Sequence, residues 1–197
     1  TNVPGIFIAG ELGGMGLIKN AVEQGKQAVE NIVHSAESNH EATHDLIVVG
    51  GGPAGISASL TAKKHGLRFS TLEQDTLGGT VFTFPRAKIV MTSPMDLPLF
   101  GKVKLFETRK SELLDLWGKV LGKNDISIKE NSKVDSITRV NGHFQLETLN
   151  GDEYLSKNIM LAIDRRGSPS NLNIPGETKE KVVYRLLKSE EILYKNI

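Results

Sequence analysis

Residues 45 to 55 read Asp45-Leu46-Ile47-Val48-Val49-Gly50-Gly51-Gly52-Pro53-Ala54-Gly55. Asp45 to Val49 is a short, continuous apolar run of the kind that forms a strand buried on both faces. Three glycines follow it and make a tight turn. Pro53 then marks the start of a helix, because proline's missing N–H costs nothing in the first turn. That helix is predicted over Pro53 to His65, with a second strand over Arg68 to Leu72 that ends at Glu73. Strand, turn, helix and strand in this order predict an α/β fold built on a parallel sheet.

The turn carries a complete G-x-G-x-x-G pattern in the context that gives the pattern meaning. Gly50 permits the tight turn, Gly52 lets backbone approach a pyrophosphate with no Cβ in the way, and Gly55 lets the helix pack closely on the strand. Phosphates would meet the free N–H groups and the positive end of the helix that includes Pro53 and Ala54. Glu73 lies 21 residues after Gly52. An acid there accepts hydrogen bonds from both hydroxyls of an adenosine ribose and repels a 2′-phosphate. FAD and NAD both satisfy this pattern. The plain alternative is a strand-to-helix turn with a solvated glutamate nearby.

Working outward, Val3 to Ala9 is a second strand candidate, feeding a glycine-rich turn over Gly10 to Gly16. Apolar and small residues from Leu17 to Val33 recur at three-and-four spacing, which predicts an amphipathic helix over 16–33. Residues 35–44 are polar and aperiodic and read as a linker. Beyond Glu73, residues 75–104 read as a loop rich in Gly, Pro and Thr, and Lys110 to Leu121 as a helix carrying the only tryptophan. Lys133–Val140, His143–Leu149 and Glu153–Ile163 are strands joined by Asn141-Gly142 and Asn150-Gly151, strong two-residue hairpin signals. They predict an antiparallel three-stranded meander. The tail from Arg165 is loop-like, with a helix expected over Lys188 to Tyr194.

Composition narrows the function classes. A net charge of +1 with interspersed acids and bases offers no nucleic-acid surface, so no nucleic-acid partner is expected. The absence of cysteine excludes a disulfide framework, a thiolate metal site and a redox CxxC within these residues. No apolar run approaches the roughly 20 residues that span a bilayer, and the start lacks a signal-peptide layout. No membrane partner is therefore expected, and the chain reads as cytoplasmic. The five histidines, His34, His40, His44, His65 and His143, are dispersed and read as surface or linker residues, so no catalytic or metal set is expected. The first residue is Thr rather than Met and the opening looks like mid-domain sequence, which suggests an excised fragment or a processed chain.

Several separated motifs resemble the FAD domain of the thioredoxin-reductase-like pyridine nucleotide flavoproteins. The stretch DLIVVGGGPAGISASLTAKKHG, followed by LEQDTLGG, resembles that family's first βαβ unit and flavin-side loop. The resemblance implies a Rossmann-like FAD-binding domain in which Glu73, Gln74, Gly78, Gly79 and Thr80 lie beside FAD. It implies adenine held by backbone at Val134, and it makes Ala162, in LAIDRRGSPSNLNIPGE, part of the segment that closes the FAD half. The family's glycine two places after this alanine is Asp164 here. Arg86, Lys88 and Thr92 follow the flavin loop, and either face the cofactor or substrate or belong to a loop packed on the sheet.

The opening segment, TNVPGIFIAGELGGMGLIKNAVEQGKQAVENI, resembles the family's last motif, here in inverted order. The resemblance puts Gly10 and Glu11 beside the flavin, Glu11 standing where the family usually has Asp. A single site then requires the opening strand to lie parallel to Asp45–Val49 in one sheet, as the family's last strand lies beside its first. The expected domains are a segment 1–34, a linker 35–44, an FAD-binding domain 45–187 and a tail 188–197 leading toward a nicotinamide domain. FAD is the cofactor implied, with NAD(P)H used only through a domain outside this stretch. The expected function is the FAD-binding portion of an oxidoreductase passing hydride from NAD(P)H through flavin to an acceptor, incomplete alone. A homodimer mate or a chain supplying the nicotinamide domain is the expected protein partner. The alternative is a flavin-free Rossmann-like domain with an assembly or regulatory role.

Overall fold

The computed structural model describes residues 1–10, 17–35, 42–84, 89–163, 174, 175 and 179. In chain order its elements are β1 (Ile6–Ile8), α1 (Ile18–Ser35), β2 (His44–Val49), α2 (Pro53–Lys64), β3 (Phe69–Leu72), β4 (Ile89–Met91), β5 (Met95–Leu97), β6 (Gly101–Val103), β7 (Glu107–Arg109), α3 (Lys110–Lys123), β8 (Ile128–Lys129), β9 (Val134–Val140), β10 (His143–Thr148) and β11 (Glu153–Leu161). The tail helix expected over 188–194 lies outside the described residues.

Seven strands form one sheet in the order β8-β3-β2-β11-β10-β9, with β1 added to β11. From β8 to β11 neighbouring strands are parallel, while β11, β10 and β9 run antiparallel. The α/β class and the meander therefore stand, and β11 belongs to both parts. Its nine residues explain how. One edge pairs with β2, while the other pairs with β10 over Glu153–Ser156 and then with β1 over Ile159–Leu161.

This corrects the expected neighbour of the opening strand. β1 runs parallel to β2, but β11 lies between them: Ile6 aligns with Ile159 and Val48 with Met160. The reason lies in β11 itself. Ile159 and Met160 point to opposite faces and both are fully buried, so this strand is a central one and needs a neighbour on each edge.

α2 sits between two layers. Ala54, Ala58 and Ala62 pack with Leu46, Val48 and the α1 residues Ala28, Val29 and Ile32. On its other side Ile56 and Leu60 join Trp117, Leu113 and Val120 of α3. The hydroxyls buried with them are satisfied: Ser57 donates to the Val22 carbonyl at 2.6 Å, and Ser59 Oγ lies 2.7 Å from Thr71 Oγ1. Gly25 of α1 makes the close approach of α1 and α2 possible, because a Cβ there would run into the Ala54 carbonyl.

Two expectations fail in instructive ways. The stretch 75–104 holds a 3-10 turn at Gly79–Val81 and the short strands β4, β5 and β6; β4 pairs with β7, and β5 with β6. Strands of three residues broken by Pro and Gly leave no alternation to read. Two histidines are not surface or linker residues. His143 is buried in β10, and His44 opens β2, with Nε2 3.0 Å from Ser70 Oγ and its ring edge-on to Tyr154. Burial is the main reason that its pKa lies below the ordinary value.

Candidate cofactor-binding site

β2 ends at Val49, and the chain turns at Gly50, whose φ of +114° no ordinary L-residue holds without strain. The Gly50 N–H donates to the Leu72 carbonyl at 2.8 Å, and Ala162 N–H donates to the Val49 carbonyl at 2.8 Å, so the ends of β3, β2 and β11 are tied at one level. A Cβ at Gly50 would approach the Ala162 carbonyl to 2.5 Å, and one at Gly55 would overlap the Gly50 carbonyl. Gly52 differs. It caps α2 in extended conformation with no side-chain cap, and its nearest would-be Cβ contact is the Gly78 carbonyl at 3.9 Å. Gly50 and Gly55 thus serve packing, while Gly52 keeps space open before the first turn of α2.

That space belongs to a cavity of about 760 Å³. Its walls include Gly50, Gly52, Pro53 and Ala54 from the turn, and Glu73 and Gln74 from the end of β3. They also include Gly79 and Thr80 from the following loop, Val134 from β9, Ala162 after β11 and Gly10 after β1. Eleven of the fourteen site residues expected from sequence therefore meet at one cavity. Gly55 stands behind the wall as a packing residue. Gly78 also lies behind it, its N–H donating to the Gly51 carbonyl at 3.0 Å and its would-be Cβ directed at Leu114. Glu11 lies outside the described residues, as do Asp164, Arg86 and Lys88. Thr92 does not line the cavity; its N–H donates to the Phe106 carbonyl at 2.8 Å, extending the separate β4–β7 pair.

Glu73 has more structural work than sequence spacing suggests. The residue is 3% exposed. Oε2 accepts the Gly51 N–H at 2.6 Å, and Oε1 accepts the Asp75 N–H at 3.0 Å. The carboxylate therefore braces the glycine turn from beneath while lining the cavity, which removes the reading of a solvated glutamate.

The opening segment contributes to the same walls. Ala9 N–H donates to the Leu161 carbonyl at 3.0 Å, continuing the β1–β11 ladder to the turn. Gly10, at φ +91°, donates its N–H to Gln24 Oε1 of α1 at 2.8 Å, and its would-be Cβ stands 3.5 Å from the Ala54 Cβ. Leu17, Ile18 and Ala21 add an apolar side. Residues missed from sequence include two groups: Val81, Phe84, Ile89 and Val90 from the stretch read as loop, and Ser132, Lys133, Asp135 and Ile137 around β9. The second group flanks Val134, so its position was readable once that strand was placed. Gln24 carried no signal, being one polar residue on an amphipathic helix.

The profile of the pyridine nucleotide-disulphide oxidoreductases matches residues 47–196. The chain belongs to that family. Among curated relatives, a ferredoxin--NADP reductase of Bacillus mycoides is 31% identical over 150 residues, covering 73% of this chain and 39% of the relative. One of Ignicoccus hospitalis is 29% identical over 142 residues, covering 71% and 43%. The chain thus spans about two fifths of the length of these relatives. The bacillithiol disulfide reductase of Staphylococcus aureus superposes with a TM-score of 0.61 at 21% identity, over 72% of this chain and 45% of that one, a likeness of fold.

FAD is the cofactor group that membership of this family implies. The residues present fit that group. An open, uncapped helix start faces the cavity where a diphosphate needs N–H donors, Glu73 offers carboxylate oxygen, and apolar walls suit a flavin ring. Among the described residues no helix is long and apolar enough to cross a membrane, and no cluster of His, Cys, Asp or Glu has metal-binding arrangement.

Proposed function

We propose that this chain forms the FAD-binding part of an enzyme that takes hydride from NAD(P)H and delivers electrons to an acceptor. The observation that carries this reading is the meeting of Gly10, the Gly50–Ala54 turn, Glu73, Thr80, Val134 and Ala162 around one cavity in a chain of this family. The amides at the start of α2 hold the diphosphate, Glu73 takes the ribose hydroxyls, and backbone at Val134 holds the adenine. Leu17, Ile18, Phe84 and Val90 keep water from the flavin. Bound there, FAD supplies the two-electron redox chemistry, and the protein orients it. Residues 1–197 contain one G-x-G-x-x-G pattern, so the nicotinamide is held by a further domain or a second chain. The relatives named as ferredoxin--NADP reductases make NADP(H) and ferredoxin the first cofactor and acceptor to try.

The test is titration of purified, flavin-free protein with FAD, FMN, NAD and riboflavin, followed by fluorescence and calorimetry. FAD is expected to bind at least about a hundredfold more tightly than FMN, since FMN lacks the adenosine that Glu73 and Val134 address. NAD as the preferred ligand would move the assignment to a nicotinamide site. No binding of any of the four would favour the flavin-free assembly or regulatory domain.

A further inference from the structure

The peptide between Ala9 and Gly10 is where the β1–β11 ladder stops and the cavity wall begins. Ala9 N–H still donates to the Leu161 carbonyl, but Gly10, at φ +91°, turns its own N–H out of the ladder. Gly10 is buried, and a buried N–H without a partner is costly. The partner here is a side chain: Gln24 Oε1 of α1 accepts the Gly10 N–H at 2.8 Å, from fourteen residues along the chain. A trans peptide is planar, with its N–H and C=O opposed, so a side chain that holds this N–H toward α1 also sets the Ala9 carbonyl the other way.

The surroundings of Gln24 explain why α1 can do this. Ala21, three residues before it, and Ala28, four after it, are buried on the same side of the helix, and Ala21 lines the cavity. The next residue, Gly25, is where α1 meets the Ala54 carbonyl in the first turn of α2. Ala54 in turn stands 3.5 Å from the would-be Cβ of Gly10. The turn after β1, the middle of α1 and the start of α2 therefore converge around one glutamine side chain. Gln24 does not itself line the cavity, whereas Gly10 does.

We propose that Gln24 is a positioning residue for the flavin end of the cavity: by holding the Gly10 N–H it sets the turn after β1 against the flavin half of FAD. The inference rests on the FAD reading given above. It adds that the two ends of the site are held by different segments and can be weakened separately. Glu73, Gln74, Ser132 and Val134 form the adenosine end from β3 and β9, while Gly10, Ile18 and Ala21 come from the opening segment. The Gln24 hydrogen bond belongs to the second set. Without it, a glycine peptide that no Cβ restrains is left with a buried, unpaired N–H, and the wall beside the flavin loses its fixed direction.

The test is titration of the flavin-free, 197-residue protein with FAD and, separately, with ADP, which carries the adenosine and diphosphate but no flavin. Gln24→Met keeps the length of the side chain and its helix propensity while removing the carbonyl acceptor. Gln24→Leu removes the acceptor in a second way, and Gln24→Glu keeps it. Met and Leu are each expected to lower FAD affinity about tenfold while leaving ADP affinity within about twofold of wild type. They should also alter the visible circular dichroism of the bound flavin. Gln24→Glu should bind FAD within about threefold of wild type and restore the wild-type flavin dichroism.

Unchanged FAD affinity in Gln24→Met and Gln24→Leu would overturn the proposal, as would parallel losses of FAD and ADP, which mark a purely structural residue. So would a Gln24→Glu that binds FAD no better than Gln24→Met, or far-ultraviolet dichroism showing that neither acceptor-free variant folds. A wild type that does not bind FAD is a different result, because it removes the FAD reading itself.

Discussion

Replacing Glu73 with Gln separates two duties that one carboxylate performs. Sequence spacing assigns Glu73 to a ligand's ribose, whereas the structure also makes it the acceptor of two N–H groups, Gly51 at 2.6 Å and Asp75 at 3.0 Å, at 3% exposure. Glutamine preserves the shape but turns one acceptor into a donor. One of the two backbone N–H groups then faces an NH₂ and loses its partner, and the other loses the benefit of charge. A buried hydrogen bond to a charged group contributes about 1.5–3 kcal/mol. For a chain of this size each kcal/mol moves the melting temperature by roughly 2–4 °C, so flavin-free Glu73→Gln should melt roughly 5–10 °C below wild type. Thermal denaturation of both flavin-free proteins checks this, and FAD titration of the same samples should show a loss of about 10- to 100-fold. If the flavin-free melting temperatures agree within about 1 °C while FAD affinity falls, the carboxylate serves the ligand alone and the bracing argument is wrong.

The other expectations follow from the same geometry. Gly52→Ala places a methyl group in open cavity, 3.9 Å from its nearest neighbour, so urea denaturation of the flavin-free protein should be nearly unchanged while FAD affinity drops at least about tenfold. Gly25→Ala does the opposite: its methyl meets the Ala54 carbonyl, and the forced separation of α1 from α2 should cost about 1–3 kcal/mol in the same assay. Asp45 accepts the Arg68 guanidinium at 2.9 and 3.1 Å and lies 3.2 Å from Lys157 Nζ, and chiefly the Arg68 hydrogen bonds hold its carboxyl well below the ordinary 3.8. A depressed carboxyl stabilises the fold above its unfolded value and ceases to do so as pH falls through and below it. Asp45→Asn should therefore be the less stable protein at pH 7, with the gap narrowing as pH drops below 3.8 in denaturant titrations; a gap independent of pH would show that the charge is irrelevant.

What could be read from the chain depended on whether a residue's task is local. The β2–α2 unit was legible because each of its signals acts on its own neighbours: the apolar run Leu46 to Val49, the glycine turn and Pro53 each fix the backbone where they stand, and each element starts within a residue of its expected place. Asn141-Gly142 was legible for the same reason, a two-residue turn being dictated by its own φ angles; Asn150-Gly151 marks a hairpin as expected but in a longer connection, where the Gly151 N–H donates to the Thr148 carbonyl at 2.9 Å. The partner of β1 was not. Nothing within Val3 to Ala9 records that β11 is long enough to take β2 on one edge and two further strands on the other; that is a property of Glu153 to Leu161. His143 was misplaced similarly, since its burial comes from tertiary packing around β10 and not from the residues beside it in the chain.

The site shows the same division in a form with functional weight. Glycines at 50, 52 and 55 match a phosphate-binding pattern by spacing, but spacing does not distinguish those that support the wall from the one that leaves it open. The contacts do: a Cβ at Gly50 or Gly55 meets backbone, whereas one at Gly52 meets space. The opening segment gains its place by the same test. Gly10 belongs to a motif in inverted order, and contacts rather than order fix its place: Gln24 holds its amide and Ala54 stands 3.5 Å from its would-be Cβ, so a segment that precedes β2 in the chain closes a cavity opened after it. Chain order is therefore no obstacle to a single cavity. Parallel β1, β11 and β2 end at the same side of the sheet, so Gly10 after β1, Ala162 after β11 and Gly50 after β2 line the same cavity, whichever end of the polypeptide brings them there.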